Sequence, residues 1–179
     1  MKTAWTPNQA TILGIDPGKT GGWGITSEIP SPVFALCGIA KSFADRKAVI
    51  EAAKAGAAKR KQPLVAVVED WTPGGWKSFD AILRSGEARG RWLEHLEIEG
   101  VPFVSALVSE WRTAIFGRSA MRMKRDAAKT MAQTYVKAEY KIEAEVDAAE
   151  ALLIARFGTR SVEVAHQIER IKKVRDTVR

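Results

Sequence analysis

The sequence predicts an α/β domain built on a mixed five-stranded sheet flanked by helices. Three strand-like segments follow one another between residues 12 and 40, joined by short turns rich in Gly and Pro. The run "LVAVVED", Leu64 to Asp70, is continuously apolar before it ends in acid, the mark of a strand buried on both faces. Segments of helical length and periodicity separate and follow these strands. The order βββαβα, then βαα, lays helices against a sheet.

The first strand, residues 12–16, lies in "TILGIDPGKTGGWGI", Thr11 to Ile25. Its residues are β-branched or apolar until Asp16 ends the run, and Pro17-Gly18 turns the chain into a second strand over 21–28. A third strand covers 33–40. A helix over 42–61 starts at Ser42 with Asp45 three residues on, a spacing like a capping box. Phe43, Ile50, Ala53 and Ala57 share one of its faces, and Gln62-Pro63 stops it. After the fourth strand, the Gly-rich "WTPGGWK" leads to a helix from about Ser78 to Glu99, and "VPFVSAL" forms the fifth strand. Residues 109–123 read as a loop, and Lys124 to Lys137 as a helix. "EVDAAEALLIARFG" is a helix ended by Gly158. Beyond it, Val164, Ile168, Ile171, Val174 and Val178 at helical spacing mark an amphipathic tail. The expected organisation is one domain over 1–158 and an amphipathic helical tail over 159–179.

A composition of 46% hydrophobic and 27% charged residues excludes a disordered chain. No apolar run approaches the roughly 20 residues that span a bilayer, which predicts no membrane partner. The N-terminal "MKTAWTPNQ" has no signal-peptide core, and Cys37 is a single cysteine in a strand-like run. Both point to a reducing, cytoplasmic setting, and with only His95 and His166 beside Cys37 they leave no structural zinc site.

The net charge of +7 favours a polyanionic partner. Basic residues gather at Arg84, Arg89 and Arg91, then at Arg112, Arg118, Arg122, Lys124, Arg125 and Lys129. Acids gather instead between Glu139 and Glu150. Two strands end in carboxylates, Asp16 and Glu69, and would bring them together if adjacent and parallel. Asp147 and Glu150, at i and i+3, project from one face of the late helix. Any one such acid is more often solvated surface than ligand, so the joint arrangement carries the argument. Four converging carboxylates repel one another unless cations neutralise them, and a set made only of oxygen suits Mg²⁺ or Mn²⁺.

These residues resemble the RuvC-type Holliday-junction resolvases of the ribonuclease H-like superfamily. "ILGIDPG" with "TGGWGI" is similar to the family's first motif and "VVED" to its second. "SGEARG", Ser85 to Gly90, is similar to a Gly-x-Ala-Arg-Gly signature, and "VDAAEALLIA", Val146 to Ala155, to the final acid-x-x-acid motif. The matches run in family order from Ile12 to Gly158. "EALLIARFG" and "EWR" are similar to the phage-encoded branch. Two departures are Glu150, where the family more often has Asp, and Lys124, one residue further from Gly117 than the usual lysine.

The resemblance implies a ribonuclease H-like fold and an Mg²⁺-dependent endodeoxyribonuclease, with Mn²⁺ substituting. Asp16, Glu69, Asp147 and Glu150 would be catalytic and hold two ions per site, with no nucleotide cofactor. Cleavage would be by paired nicks in four-way junctions, leaving 5′-phosphates. Paired nicks imply a homodimer, for which Gly86 and Gly90 permit close helix approach, though both could equally serve packing on the chain's own sheet. Lys77, Arg112, Arg118, Arg122 and Lys124 would contact DNA, and Trp71 or Trp76 would supply an aromatic that inserts at the junction. Three rivals stand beside this reading. One is a nuclease for Y-forks, flaps or other branches, and another is a non-catalytic junction-binding relative. The third, a sugar kinase or actin-like ATPase, needs two paired domains that 179 residues do not supply.

Overall fold

The structure is a computed structural model that describes residues 9–18, 21–27, 34–70 and 78–177. Five strands, β1 (Thr11–Asp16), β2 (Gly22–Ser27), β3 (Phe34–Ile39), β4 (Leu64–Asp70) and β5 (Phe103–Leu107), form one sheet in the order β3-β2-β1-β4-β5. The first three form an antiparallel meander, whereas β4 and β5 run parallel to β1. The helices are α1 (Phe43–Lys59), α2 (Phe79–Ile98), α3 (Val108–Phe116), α4 (Arg125–Tyr140), α5 (Val146–Gly158) and α6 (Val162–Thr177). The predicted mixed five-stranded α/β fold is the observed one.

Alternation along the strands divides the core in two. Leu13, Ile15, Ala66 and Val68 face α1 and α2, where they meet Ile50, Trp92 and Leu96. Ile12, Val65 and Val67 face the other way and pack against Leu152, Leu153 and Trp111. Ser42 starts α1 with the capping box that the sequence predicts: its hydroxyl accepts from the Asp45 N–H, and the Asp45 carboxylate accepts from the Ser42 N–H. Val164 and Ile168 of α6 are fully buried in the core on the α5 side.

The glycines of the first hairpin form the bed for α5. A Cβ on Gly14 would lie 2.1 Å from the Ala151 carbonyl oxygen, and one on Gly22 would lie 2.1 Å from that of Asp147. One on Gly24 would lie 2.4 Å from the Leu152 Cα. Only hydrogen fits at these positions, so the α5 backbone rests directly on β1 and β2. Residues Ala148 to Ala155 are buried without a break, as befits the Ala- and Leu-rich sequence.

The loop expected over 109–123 is instead α3 followed by a 3₁₀ turn, Arg118–Arg122. β5 passes into α3 without a turn residue, so the sequence gives no punctuation there. The Glu110 carboxylate accepts the Leu107 N–H at 2.8 Å, and Trp111 is fully buried. Gly117, at φ +81°, ends the helix. α4 runs three residues past the expected Lys137, stopping at Tyr140. Among the described residues no helix is long and apolar enough to cross a membrane.

Candidate metal and nucleic-acid site

The site is set by register. β1 and β4 are parallel neighbours with Ile15 opposite Val68, so Asp16 and Glu69 come next on adjacent strands. Both continue the alternation that faces α5. On the other side of β1, Asp16 pairs with Gly22, whose missing side chain admits the Asp147 backbone. The first turn of α5 is thereby held over the end of β1. One turn later, Glu150 points the same way.

Oxygens of Asp16, Asp147 and Glu150 all lie within 4.8 Å of one another. Asp16 and Glu150 are almost wholly buried, at 7% and 4% exposure. The Gly18 N–H donates to Asp16 Oδ1 at 3.0 Å and fixes the carboxylate in its turn. Glu69 stands beside this trio: its Oε2 accepts the indole N–H of buried Trp111 at 2.8 Å.

Two cations already touch the cluster. Arg112 donates from Nη2 to Glu150 Oε1 at 2.5 Å, and Lys129 donates from Nζ to Asp147 Oδ1 at 3.3 Å. The Arg112 guanidinium also lies over the Trp111 ring, 5.2 Å from its centroid. Consecutive residues of α3 therefore hold two different carboxylates, Glu69 and Glu150.

Two net positive neighbours do not balance four acids in so little water. Burial, reinforced by Glu150 and Asp147, pushes the Asp16 carboxyl up to about 7. Burial and then the Asp16 charge push Glu69 to about 8, against the pull of the Trp111 N–H. A donor set made only of oxygen, with a shortage of positive charge, fits a hard divalent cation. Asp16, Asp147 and Glu150 would hold it directly, with Glu69 one strand away.

The other predicted residues fall in three groups. Arg118, Arg122 and Lys124 are exposed on the segment between α3 and α4, the helices that supply Arg112 and Lys129. Gly86 and Gly90 are exposed on α2, and among the described residues a Cβ on either would meet nothing within 4 Å. Trp71, Trp76 and Lys77 lie outside the described residues.

Sequence reasoning missed Trp111 and Lys129 as parts of the site. The signal for Lys129 was present, since Ala128, Ala132 and Val136 bury one face of α4 and place position 129 beside it. Trp111 gave none, because its segment read as loop. Arg89 has a partner on the far side of the sheet, donating to Asp70 at 3.1 Å and to Ser105 Oγ at 2.6 Å.

No protein-family model matches the chain, and none of the curated proteins does. Among solved structures, RuvC of Thermus thermophilus is similar with a TM-score of 0.54 and 21% identity, over 82% of this chain and 92% of that one. The same protein in complex with a Holliday junction substrate gives 0.52 and 19%, over 83% and 91%. The yeast mitochondrial Holliday junction resolvase Ydc2 gives 0.43 and 14%, over 99% and 87%. The likeness to RuvC shows the fold: a mixed sheet of the ribonuclease H-like kind.

Proposed function

We propose that the protein is an Mg²⁺-dependent endodeoxyribonuclease, of the phage-like RuvC type, that resolves four-way DNA junctions by paired nicks. The observation that carries this reading is the trio of carboxylates within 4.8 Å, built at the ends of β1 and α5 with Glu69 on the next strand. A fold shared with a protein solved on a Holliday junction supports the substrate. The basic segment from Arg112 to Lys129 supports a polyanion.

In this reading Asp16, central between β2 and β4, would hold the metal together with Glu69, Asp147 and Glu150. Bound there, Mg²⁺ would supply the charge that activates a water and offsets the leaving 3′ oxygen of an in-line displacement. The Gly18 N–H and the bed at Gly22 keep Asp16 and Asp147 facing each other, and Trp111 orients Glu69. Arg112 and Lys129 stand ready to offset charge on the scissile phosphate. Arg118, Arg122, Lys124 and Lys77 carry the flanking backbone, and Trp71 or Trp76, following Glu69 in the chain, stacks at the branch point. Two sites in a homodimer joined through the α2 face at Gly86 and Gly90 give the paired nicks.

A panel of end-labelled four-way, three-way, flap and duplex DNAs, with Mg²⁺ and with EDTA, tests this. Four-way junctions should be cut first, into ends that a ligase reseals. Equal cutting of flaps would move the reading to a general branch nuclease, and cutting in excess EDTA would remove the metal.

A further inference from the structure

We propose that Arg112 and Lys129 are built-in counter-ions of the carboxylate cluster, which a divalent cation displaces from Glu150 and Asp147. The inference rests on the reading of the cluster as a metal site and goes beyond it, because it makes the two cations competitors of the metal rather than its helpers.

The geometry points there from three sides. Arg112 and Lys129 take up oxygens of the very acids that, with Asp16, form the only candidate cation cluster among the described residues. The Arg112–Glu150 pair is deep, with the side chains 19% and 5% exposed, so the guanidinium is a close and poorly screened positive charge. Arg112 is nevertheless incompletely satisfied, since its Nε is buried with no hydrogen-bond partner among the described residues. A planar five-donor group that leaves one buried N–H unpaired has not found all the acceptors that it can use. Phosphate oxygens offer more of them, in bidentate geometry.

The physical consequence is a coupled exchange. A divalent ion among Asp16, Asp147 and Glu150 repels both side chains and weakens their hold on the same oxygens. Each cation so released is free for a phosphate at the place where the ion has just been installed. Before that, the pairs protect the acids: Glu150 without Arg112 is a buried carboxylate with its counter-charge removed, which is costly.

The test uses the full-length protein without DNA and Mn²⁺ as the probe, with free Mn²⁺ followed by electron paramagnetic resonance. Removing one positive charge about 5 Å from a divalent ion is expected to tighten binding on the order of tenfold, even at the dielectric of water. Arg112→Gln and Lys129→Gln should therefore each bind Mn²⁺ more tightly than wild type, while Arg112→Lys should stay close to it. Without added metal, Arg112→Gln should melt below wild type, and Arg112→Gln with Glu150→Gln should recover the loss. Weaker or unchanged Mn²⁺ affinity in both glutamine variants overturns the inference and makes the cations positioning residues. Should Arg112→Gln fail to fold, Lys129→Gln, more exposed at 27%, decides by the same criterion. Absence of Mn²⁺ binding by wild type would overturn the metal site itself, a result distinct from the other two.

Discussion

Asp16 and Glu69 are the residues at which the site is least content with its own charge. Both titrate above their ordinary values of 3.8 and 4.5, at about 7 and about 8. Between about pH 4 and 8 the folded protein therefore holds more protons than the unfolded chain, so without metal its stability should fall as pH rises through that window and level off above it. A melting series in EDTA checks this, and Mg²⁺ should raise the melting temperature more at pH 8 than at pH 5. Asp16→Asn removes one charge from the cluster, so it should flatten the pH dependence and melt higher than wild type at pH 8. The same variant should abolish cleavage while retaining junction binding; normal turnover would remove Asp16 from the site. Trp111→Phe keeps a ring in the core but takes the hydrogen bond from Glu69. It should reduce cleavage by more than its change in melting temperature accounts for, and matched losses would mark Trp111 as packing alone.

At the scale of elements, two kinds of glycine give opposite predictions. Gly22 lies under the α5 backbone, where a methyl group has no room. Gly22→Ala should cost at least about 1–3 kcal/mol, the range for overpacking, and should weaken metal binding by lifting Asp147. Gly86 and Gly90 are open on a helix, so Ala at either should stabilise the monomer by about 1 kcal/mol through helix propensity. If α2 is the dimer face, the same changes should weaken self-association in sedimentation. Urea melts of all three variants separate the cases. The sequence could be read at this scale wherever period and punctuation agreed: "LVAVVED" between Pro63 and a Gly-rich loop is unmistakable, and Ser42 with Asp45 marks a helix start. It failed at α3, where a strand passes straight into a helix and polar residues surround Trp111. Asp16, Asp147 and Glu150 were legible because strand ends and i, i+3 spacing are local properties. Trp111–Glu69 and Lys129–Asp147 span 42 and 18 residues, and no local pattern encodes such pairs.

At the scale of the whole molecule, the net charge of +7 is not spread evenly, and on the side of the acidic cluster the segment from α3 through the 3₁₀ turn to α4 carries seven basic residues against three acidic ones. Junction binding should therefore weaken steeply with salt, each neutralised phosphate contributing about 0.9 to the slope of log K against log salt. Arg118→Ala and Lys124→Ala should each flatten that slope, as measured by fluorescence anisotropy on one four-way junction. An unchanged slope in both would put the DNA on another face. The close packing of α5 has a further consequence, for motion. Its residues from Ala148 to Ala155 are buried without interruption, between a glycine-lined sheet on one side and α3 and α4 on the other. A helix with no exposed face has no local route to opening, so its amides should exchange with deuterium only when the entire domain unfolds. The first half of α2, exposed at Phe79 and Leu83, should exchange much sooner. Half of the acidic cluster is thus anchored to what should be the slowest-opening part of the protein, and its carboxylates should keep their spacing through local fluctuations elsewhere in the domain.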